Sequence, residues 1–388
     1  MDPRHADDVG IPGSAARHQR GTATTGRRCG RLGHLSTIGR VTDPIDLRSD
    51  TVTRPGPQMR RAMADAEVGD DQYGEDPSIN RLQEETAALL GTEAALFFPS
   101  GTMTNQVALR TLTRPGDDVL VPTQSHLVLH ETGGGAANAG VQFSEIGSRG
   151  TYDAEDVTAA VKPGGHIVYP PTTLLVAENT HNRCGGIVFP ADQLSAALAA
   201  ARAHGLATYL DGARILNAAV ASGRPAADLT AGFDLVGMSL SKGLGGPVGS
   251  MLAGSRELID RARRFRRMAG GAMRQAGILA AAGSYALAHH VELLVEDHAN
   301  ARLLADELLR GDDIELDLDT VQTNILVFTL VDRKGVPDAA TFVERCRERG
   351  VLLNAFGPRV VRAVTHLDVT ADQCRAAASV MRAVADGR

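Results

Sequence analysis

The sequence predicts an α/β fold: a large domain built on a mostly parallel sheet flanked by helices, then a small C-terminal α/β domain. Three observations predict it. Apolar runs alternate with helix-patterned stretches through residue 253, as strands joined by helical crossovers do. At 388 residues the chain is too long for one small core. Near the C-terminus, strand-like runs at 324–330 and 360–364 are interspersed with helical stretches at 338–349 and 370–385, a second α/β unit of about ninety residues. The division follows as an N-terminal extension over 1–43, a large domain over 44–295 and a small domain over 296–388.

Composition narrows the class. An apolar share of 43% and a charged share of 22% are those of an ordinary soluble enzyme. No apolar run reaches the length of a membrane span, and a net charge of −6 argues against nucleic acid as the main partner. Cys29, Cys184, Cys346 and Cys374 lie far apart with no Cys-x-x-Cys, which points to reduced thiols in a cytoplasmic protein and to no bound metal.

Residues 1–43 hold seven arginines and four aspartates without hydrophobic periodicity. Such a segment buries too little surface to offset its ordering entropy and is expected to be disordered. It has no apolar stretch of an export signal. Translation is expected to begin near Val41, which directly precedes the first patterned residues.

The ordered chain opens on a polar loop, Asp46-Leu-Arg-Ser-Asp-Thr-Val-Thr-Arg-Pro. Asp76-Pro77 then starts a helix, with proline at its first position, that runs to Leu90 and ends at Gly91. Tyr73, in the polar loop before it, reads equally as a packing aromatic or a site residue. A strand at 94–99 leads into Ser100-Gly-Thr-Met-Thr-Asn105 and an apolar helix through Leu112. A Ser-Gly-Thr turn opening a helix gathers free N–H groups, hydroxyls and the positive dipole end into an anion site, although a plain helix cap looks the same. No Gly-Lys-Ser/Thr is present, so longer nucleotide-binding loops are excluded. The run Gly133-Gly-Gly-Ala-Ala-Asn-Ala-Gly140 lacks the spacing of a dinucleotide fingerprint.

A strand at 119–122 delivers His126, whose ring could stack on a flat ligand; Glu131, about one helical turn on, could position it. A lone histidine is more often structural. Strands are expected at 166–169 and 174–178, the second leading to Asn179-Thr-His-Asn-Arg-Cys-Gly-Gly186 with His181 at a strand end. After a helix over 191–204, an apolar run at 206–210 ends in Asp211-Gly-Ala-Arg214. Six arginines between 256 and 267 suggest a solvated or subunit-facing helix, and 273–309 reads as one long helical region linking the domains. Arg362 sits within an apolar run and must find an anionic partner, a buried carboxylate or a substrate.

The chemistry centres on Lys242. A short apolar run at 235–240 delivers Ser241-Lys-Gly-Leu-Gly-Gly-Pro-Val-Gly249, and a second run follows. Glycine permits sharp turns and close approach, so this amine could be desolvated and reactive, as a Schiff-base lysine must be. A solvated lysine in a glycine-rich turn is the plain alternative. Ser239-x-x-Lys242 as a serine nucleophile with its lysine base lacks the Ser-Asp-Asn and Lys-Thr-Gly that this pattern requires. Asp211 decides: about thirty residues upstream, it is one crossover away, so both groups can stand at C-terminal strand ends of one sheet. Pyridoxal phosphate (PLP) needs this pair, a lysine for its aldehyde and a carboxylate for its pyridinium nitrogen.

Asp46-Leu-Arg-Ser-Asp-Thr-Val-Thr, Tyr73-Gly-Glu-Asp-Pro, Ser100-Gly-Thr, Glu178-Asn-Thr-His-Asn, Asp211-Gly-Ala-Arg, Ser241-Lys-Gly-Leu-Gly, Gly270-Gly-Ala-Met-Arg-Gln and Val364-Thr-His-Leu-Asp resemble, in order and spacing, the low-specificity L-threonine aldolases. These are PLP enzymes of fold type I, in the aspartate aminotransferase superfamily, and the resemblance spans residue 46 to about 385. It implies that Lys242 holds PLP covalently and that Asp211 pairs with the pyridinium. Ser100, Gly101 and Thr102 would bind the phosphate, with Arg274 reaching a partner subunit's phosphate, and His126 would stack on the ring. Ser49, Arg214 and Arg362 would grip the substrate carboxylate, and Tyr73 would line the substrate site near a subunit boundary of a homo-oligomer, dimer or tetramer.

The implied reaction is cleavage of L-threonine, or its allo form, to glycine and acetaldehyde. The base is left among His126, His181 and a water held by them and Glu131. A PLP-dependent β-eliminating lyase or racemase, and a non-catalytic PLP-binding regulatory protein, are the alternatives. His130 and Thr132 flank Glu131 where the family varies.

Overall fold

The computed structural model describes residues 43–388, so the expectations for the N-terminal extension fall, but for Asp43, outside the described residues. β1 (Ile45–Asp46) opens the chain. A seven-stranded sheet follows, made of β2 (Ala94–Phe98), β3 (Asp118–Pro122), β4 (Gln142–Ile146), β5 (Thr172–Glu178), β6 (Ala207–Asp211), β7 (Leu235–Ser239) and β8 (Ser250–Gly254), in the order β2-β8-β7-β6-β5-β3-β4. The pairs from β7 through β6, β5 and β3 to β4 are parallel, and β8 alone runs against the rest.

This sheet is buried on both faces, and the two-residue period of a strand sorts its side chains. Leu175 and Ala177 join Leu120, Leu210, Val236 and Met238 in one apolar core. Their neighbours Leu174 and Val176 join Val119, Val121, Tyr209 and Leu235 in a second, on the opposite face. Continuous apolar runs were therefore the right signal for the central strands.

A third core gathers the C-terminal elements. β9 (Ile314–Glu315), β10 (Ile325–Leu330), β11 (Val351–Leu352), β12 (Asn354–Ala355) and β13 (Val360–Val364) follow the helix Leu294–Leu308. β12-β13-β10-β9 form an antiparallel sheet, and β11 pairs in parallel with β1. Leu326, Phe328, Leu330, Val361 and Ala363 face the helices of this core, and Leu47 packs among them. The segment 45–47 is thus held by the C-terminal elements rather than by the large sheet. Arg362 lies between Val361 and Ala363, opposite Val327 in the register. Alternation turns it away from this core.

Three expectations need correction, and one strand, β4, went unread. Residues 166–169 form a turn, not a strand, with Ile167 99% exposed. Pro170 and Pro171 follow, and prolines supply no N–H to a ladder. β4 is a sheet-edge strand paired with β3 alone; its mixed sequence Gln-Phe-Ser-Glu-Ile carried too little apolar signal to be read. The expected helical region 273–309 breaks into Gly277–His289 and Leu294–Leu308, bent by 72°. No single described helix is long and apolar enough to cross a membrane. In the arginine-rich helix Arg256–Met268, Arg266 is buried: Nη2 donates to Asp71 Oδ2 at 2.7 Å and Nη1 to the Phe97 carbonyl at 2.8 Å.

Candidate active site

A cavity of about 180 Å³ opens where the parallel strands end, and Lys242, Asp211, His126, Gly101, Thr102 and Arg214 all line it. Each arrives by a local cause. Asp211 is the last residue of β6, and its Oδ1 accepts the Ala213 N–H at 3.2 Å. Lys242 follows β7 in a loop tied down by Gly245 N–H on the Lys242 carbonyl at 2.8 Å and Gly246 N–H on the Leu240 carbonyl at 3.0 Å. Gly246 is required, since a Cβ there would lie 2.7 Å from the Leu240 carbonyl oxygen; at Gly243 a Cβ would meet only the tip of the Leu294 side chain, at 2.9 Å. Thr53 Oγ1 holds the same Lys242 carbonyl at 2.9 Å.

The helix Gly101–Leu112 begins beside the cavity. Ser100 caps it, Oγ accepting from the Met103 N–H at 3.2 Å, while Gly101 and Thr102 face the space. The helix start therefore offers N–H donors and a hydroxyl to an anion.

Burial and neighbours set the charges. Desolvation, helped by the positive charge of Arg214, pushes Lys242 down to about 8 against the pull of Asp50, Asp211 and Glu178. Burial and the nearby Glu178 raise the Asp211 carboxyl above its usual range. Glu178 goes the other way: burial would raise it, but His181 and the N–H groups of Asn182 and His126 outweigh that and lower it. Those amides donate to its two carboxylate oxygens at 2.9 Å and 2.8 Å.

His126 opens a single helical turn, His126–Leu129, and its Nδ1 lies 3.0 Å from Glu131 Oε1. Burial opposes its protonation; the Glu131 bond and the charges of Asp211 and Glu178 outweigh burial and raise it. Asn105, buried in the helix after the Ser-Gly-Thr turn, joins the two acids: its Nδ2 donates to Glu131 Oε1 at 2.6 Å and to Asp211 Oδ2 at 3.0 Å, while Tyr209 holds its Oδ1. Gln106 Nε2 donates to the other oxygen of Glu131.

Several expected site residues sit elsewhere or have other partners. Arg214 is bound bidentately by Asp50, Nε to Oδ2 and Nη2 to Oδ1, both at 2.7 Å, with Asn324 Nδ2 also on Oδ2 at 3.1 Å. Its charge is already matched, so it borders the cavity as half of an ion pair. Ser49 spends its Oγ on the Thr51 N–H at 3.2 Å, capping a short turn. His181 is 1% exposed and does not line the cavity; both ring nitrogens lack a hydrogen-bond partner, and Nε2 stands 3.9 Å from Glu178 Oε2. Tyr73 is 72% exposed, and Arg274 pairs with Asp70 at 2.8 Å; neither lines the cavity.

Arg362 is buried without an anion. Its Nη1 donates to Asn182 Oδ1 at 2.7 Å and Nη2 to the Arg48 carbonyl at 2.9 Å, and its guanidinium lies 4.4 Å over the Phe356 ring. Nε has no partner, and no ion pair to Arg362 occurs among the described residues. Burial, with Arg214 and Arg183 nearby, lowers it to about 10.

The donor set fits PLP. Asp211 is a buried carboxylate, crowded by a second one, that makes no ion pair among the described residues and so calls for a cation. A lysine near 8 supplies the amine, and the helix start supplies phosphate donors.

Comparison with known proteins agrees. Residues 46–330 match the beta-eliminating lyase family. The low-specificity L-threonine aldolase of Escherichia coli K12 is 45% identical over 341 residues, 87% of this chain and 98% of that protein. The chain belongs to the low-specificity L-threonine aldolase family. Low-specificity L-threonine aldolase 1 of Arabidopsis thaliana is 39% identical over 330 residues, 84% of this chain and 92% of that one. Among solved structures, the threonine aldolase of Leishmania major superposes with a TM-score of 0.75 at 20% identity, covering 88% of this chain and all of that one. Serine palmitoyltransferase of S. paucimobilis, solved with PLP and myriocin, gives 0.69 at 18% identity, covering 89% and 88%. The fold is that of fold-type I PLP enzymes, and the family's cofactor is PLP.

Sequence reasoning missed Asp50, Asn105, Gln106 and Asn182 as parts of the site. Asn105 and Gln106 had a signal: two adjacent amides, both buried, in the helix that follows the Ser-Gly-Thr turn. Asp50 had none, lying in a polar loop whose partner is far along the chain.

Proposed function

We propose that the chain cleaves L-threonine or L-allo-threonine to glycine and acetaldehyde with PLP. The observation that carries this is the meeting of Lys242, Asp211 and His126 in one cavity, with Arg362, outside its lining, making no ion pair among the described residues. Lys242 would hold the cofactor covalently, Asp211 its ring nitrogen and the Gly101–Thr102 helix start its phosphate. When bound, PLP supplies a sink for the electrons released as Cα–Cβ breaks.

The chain's own residues do the rest. Arg362 would take the substrate's α-carboxylate, a charge-assisted pair that orients the bond to be broken. His126 would accept the β-hydroxyl proton. With Nδ1–H directed to Glu131, its Nε2 carries the free lone pair, and Glu131 stabilises the imidazolium that results. Asn105 and Gln106 hold Glu131 in place for this. Asp50 keeps the Arg214 charge satisfied, leaving Arg362, bonded only to neutral acceptors, to take the substrate's charge.

We also infer a cytoplasmic homo-oligomer. Tyr73, a large side chain 72% exposed, supports a contact surface for a second copy. The deciding experiment incubates the PLP-loaded protein with L-threonine and measures glycine and acetaldehyde together. Equal yields support the proposal; ammonia with a keto acid would mark a β-eliminating lyase, racemised threonine a racemase, and no turnover a binding protein.

A further inference from the structure

Four residues after His126, its turn presents a second imidazole. His126 and His130 stand on one face of the single turn, their ring centroids 5.4 Å apart at 43°. On its other side the His130 ring lies 6.4 Å from Phe356. Phe356 comes from the turn between β12 and β13, fixed by its N–H on the Val360 carbonyl at 2.8 Å. The guanidiniums of Arg183 and Arg362 each lie 4.4 Å from the Phe356 centroid. The contacts run His126, His130, Phe356, Arg362, from the group assigned to the β-hydroxyl to the group assigned to the α-carboxylate.

Of this row only His126 lines the cavity, so a substrate spanning the two anchors would reach out of it along His130 and Phe356, carrying with it its third substituent, the group on the β-carbon. We propose that His130 reads that substituent, favouring groups that bear a hydrogen-bond acceptor, a hydroxyl or carboxylate, over plain alkyl. The inference rests on the aldol reading above and names its substrate preference.

The surroundings support it. The charged and titratable groups facing His130 are His126 on its own turn, Glu178 at the end of β5, Arg183 on the loop beyond, and Arg362 on β13. Burial, His126 and Arg183 lower its affinity for a proton, with Arg362 adding to them and Glu178 opposing. The ring is therefore neutral near pH 7 and keeps one N–H to donate. Three cationic or cation-forming side chains against one carboxylate also favour electron-rich groups around His130. The ring is exposed enough to be met by a ligand, and a methyl there gains nothing from an N–H.

The test uses the PLP-loaded protein and two variants, His130→Phe and His130→Asn. Glycine release gives kcat/KM for L-threonine and for a β-hydroxy amino acid carrying a hydroxyl or carboxylate on its β-substituent. The ratio of the second to the first should fall about 3- to 10-fold in His130→Phe, the loss of one hydrogen bond, and recover partly in His130→Asn. An unchanged ratio in His130→Phe overturns the inference. So does an equal fall in both variants, which would assign the effect to ring shape. A parent protein that releases glycine from neither substrate overturns the aldol reading itself, a different result from an unchanged ratio.

Discussion

Arg362 and Asn182 are joined by a 2.7 Å hydrogen bond from Nη1 to Oδ1, linking the C-terminal sheet to the loop that follows β5. Asn182 in turn donates its N–H to Glu178 at 2.9 Å. A neutral amide thus occupies a position where a structural arginine would ordinarily meet a carboxylate, and the charge stays available.

Arg362→Ala should raise KM for L-threonine strongly and lower kcat, because a loose carboxylate misaligns the bond to be broken. Removing one side of such a pair costs about 2–5 kcal/mol in transition-state binding. PLP binding should persist, since Lys242 and the phosphate donors lie on the large sheet. The melting temperature should fall modestly, because Asn182 Oδ1 and the Arg48 carbonyl lose their buried donor, but no carboxylate is left unpaired. A substrate titration and a melting curve on one preparation check this, and an unchanged KM removes Arg362 from the clamp.

Lys242→Ala should abolish the visible absorbance of covalently held PLP and nearly all turnover. A borohydride-stable adduct at another lysine with normal activity would rule Lys242 out. The parent apoprotein offers a second readout. Capture of added PLP needs the neutral amine, and burial brings Lys242 down to about 8. The capture rate should rise with pH and level off above about 8; an ordinary lysine would continue rising towards 10.5.

The sequence carried the fold wherever burial on both faces left a continuous apolar run, as in β5, β6 and β7. It failed at β4, whose edge position leaves polar residues in the strand, and at 166–169, where apolar residues are exposed in a turn. Lys242, Asp211 and His126 were legible because strand ends and glycine spacing mark them. The role of Arg214 was not: its partner Asp50 is 164 residues away, and no local pattern announces such a pair. The network through Asn105 was half legible, as two adjacent amides in the helix after the Ser-Gly-Thr turn without visible partners.

Glu131→Gln tests that network. The Glu131 bond and the charges of Asp211 and Glu178 raise His126 against burial, so removing the Glu131 charge should lower its proton affinity. The acid limb of the kcat/KM profile should move to lower pH. The imidazolium formed during turnover would lose its support, and kcat should fall within the range of about 10²–10⁴ that general acid–base groups supply. Asn105 donates to one oxygen of Glu131 and Gln106 to the other, and glutamine keeps only one of them, so a buried hydrogen bond is lost and the melting temperature should fall modestly. A profile that keeps its acid limb while kcat falls would separate Glu131 from the proton transfer.

Asp297 gives a stability prediction outside the reaction. Its side chain is 2% exposed on the helix beneath the Lys242 loop, and Oδ2 has no partner. Burial, with Asp50, Glu296 and Asp368 adding to it, pushes the carboxyl up to about 8. The folded state therefore holds this proton more tightly than the unfolded chain, whose carboxyl titrates near 3.8. The stabilisation is fully present below that value and is lost progressively as pH rises through the folded value, at no more than about 1.4 kcal/mol per pH unit. Asp297→Asn cannot ionise. Its stability should depend less steeply on pH between about 4 and 8 than the parent's, and its advantage over the parent should grow towards pH 8. Urea titrations of both proteins at several pH values measure the difference in slope; parallel curves across that window would mean that Asp297 ionises in the folded protein as freely as in the unfolded chain.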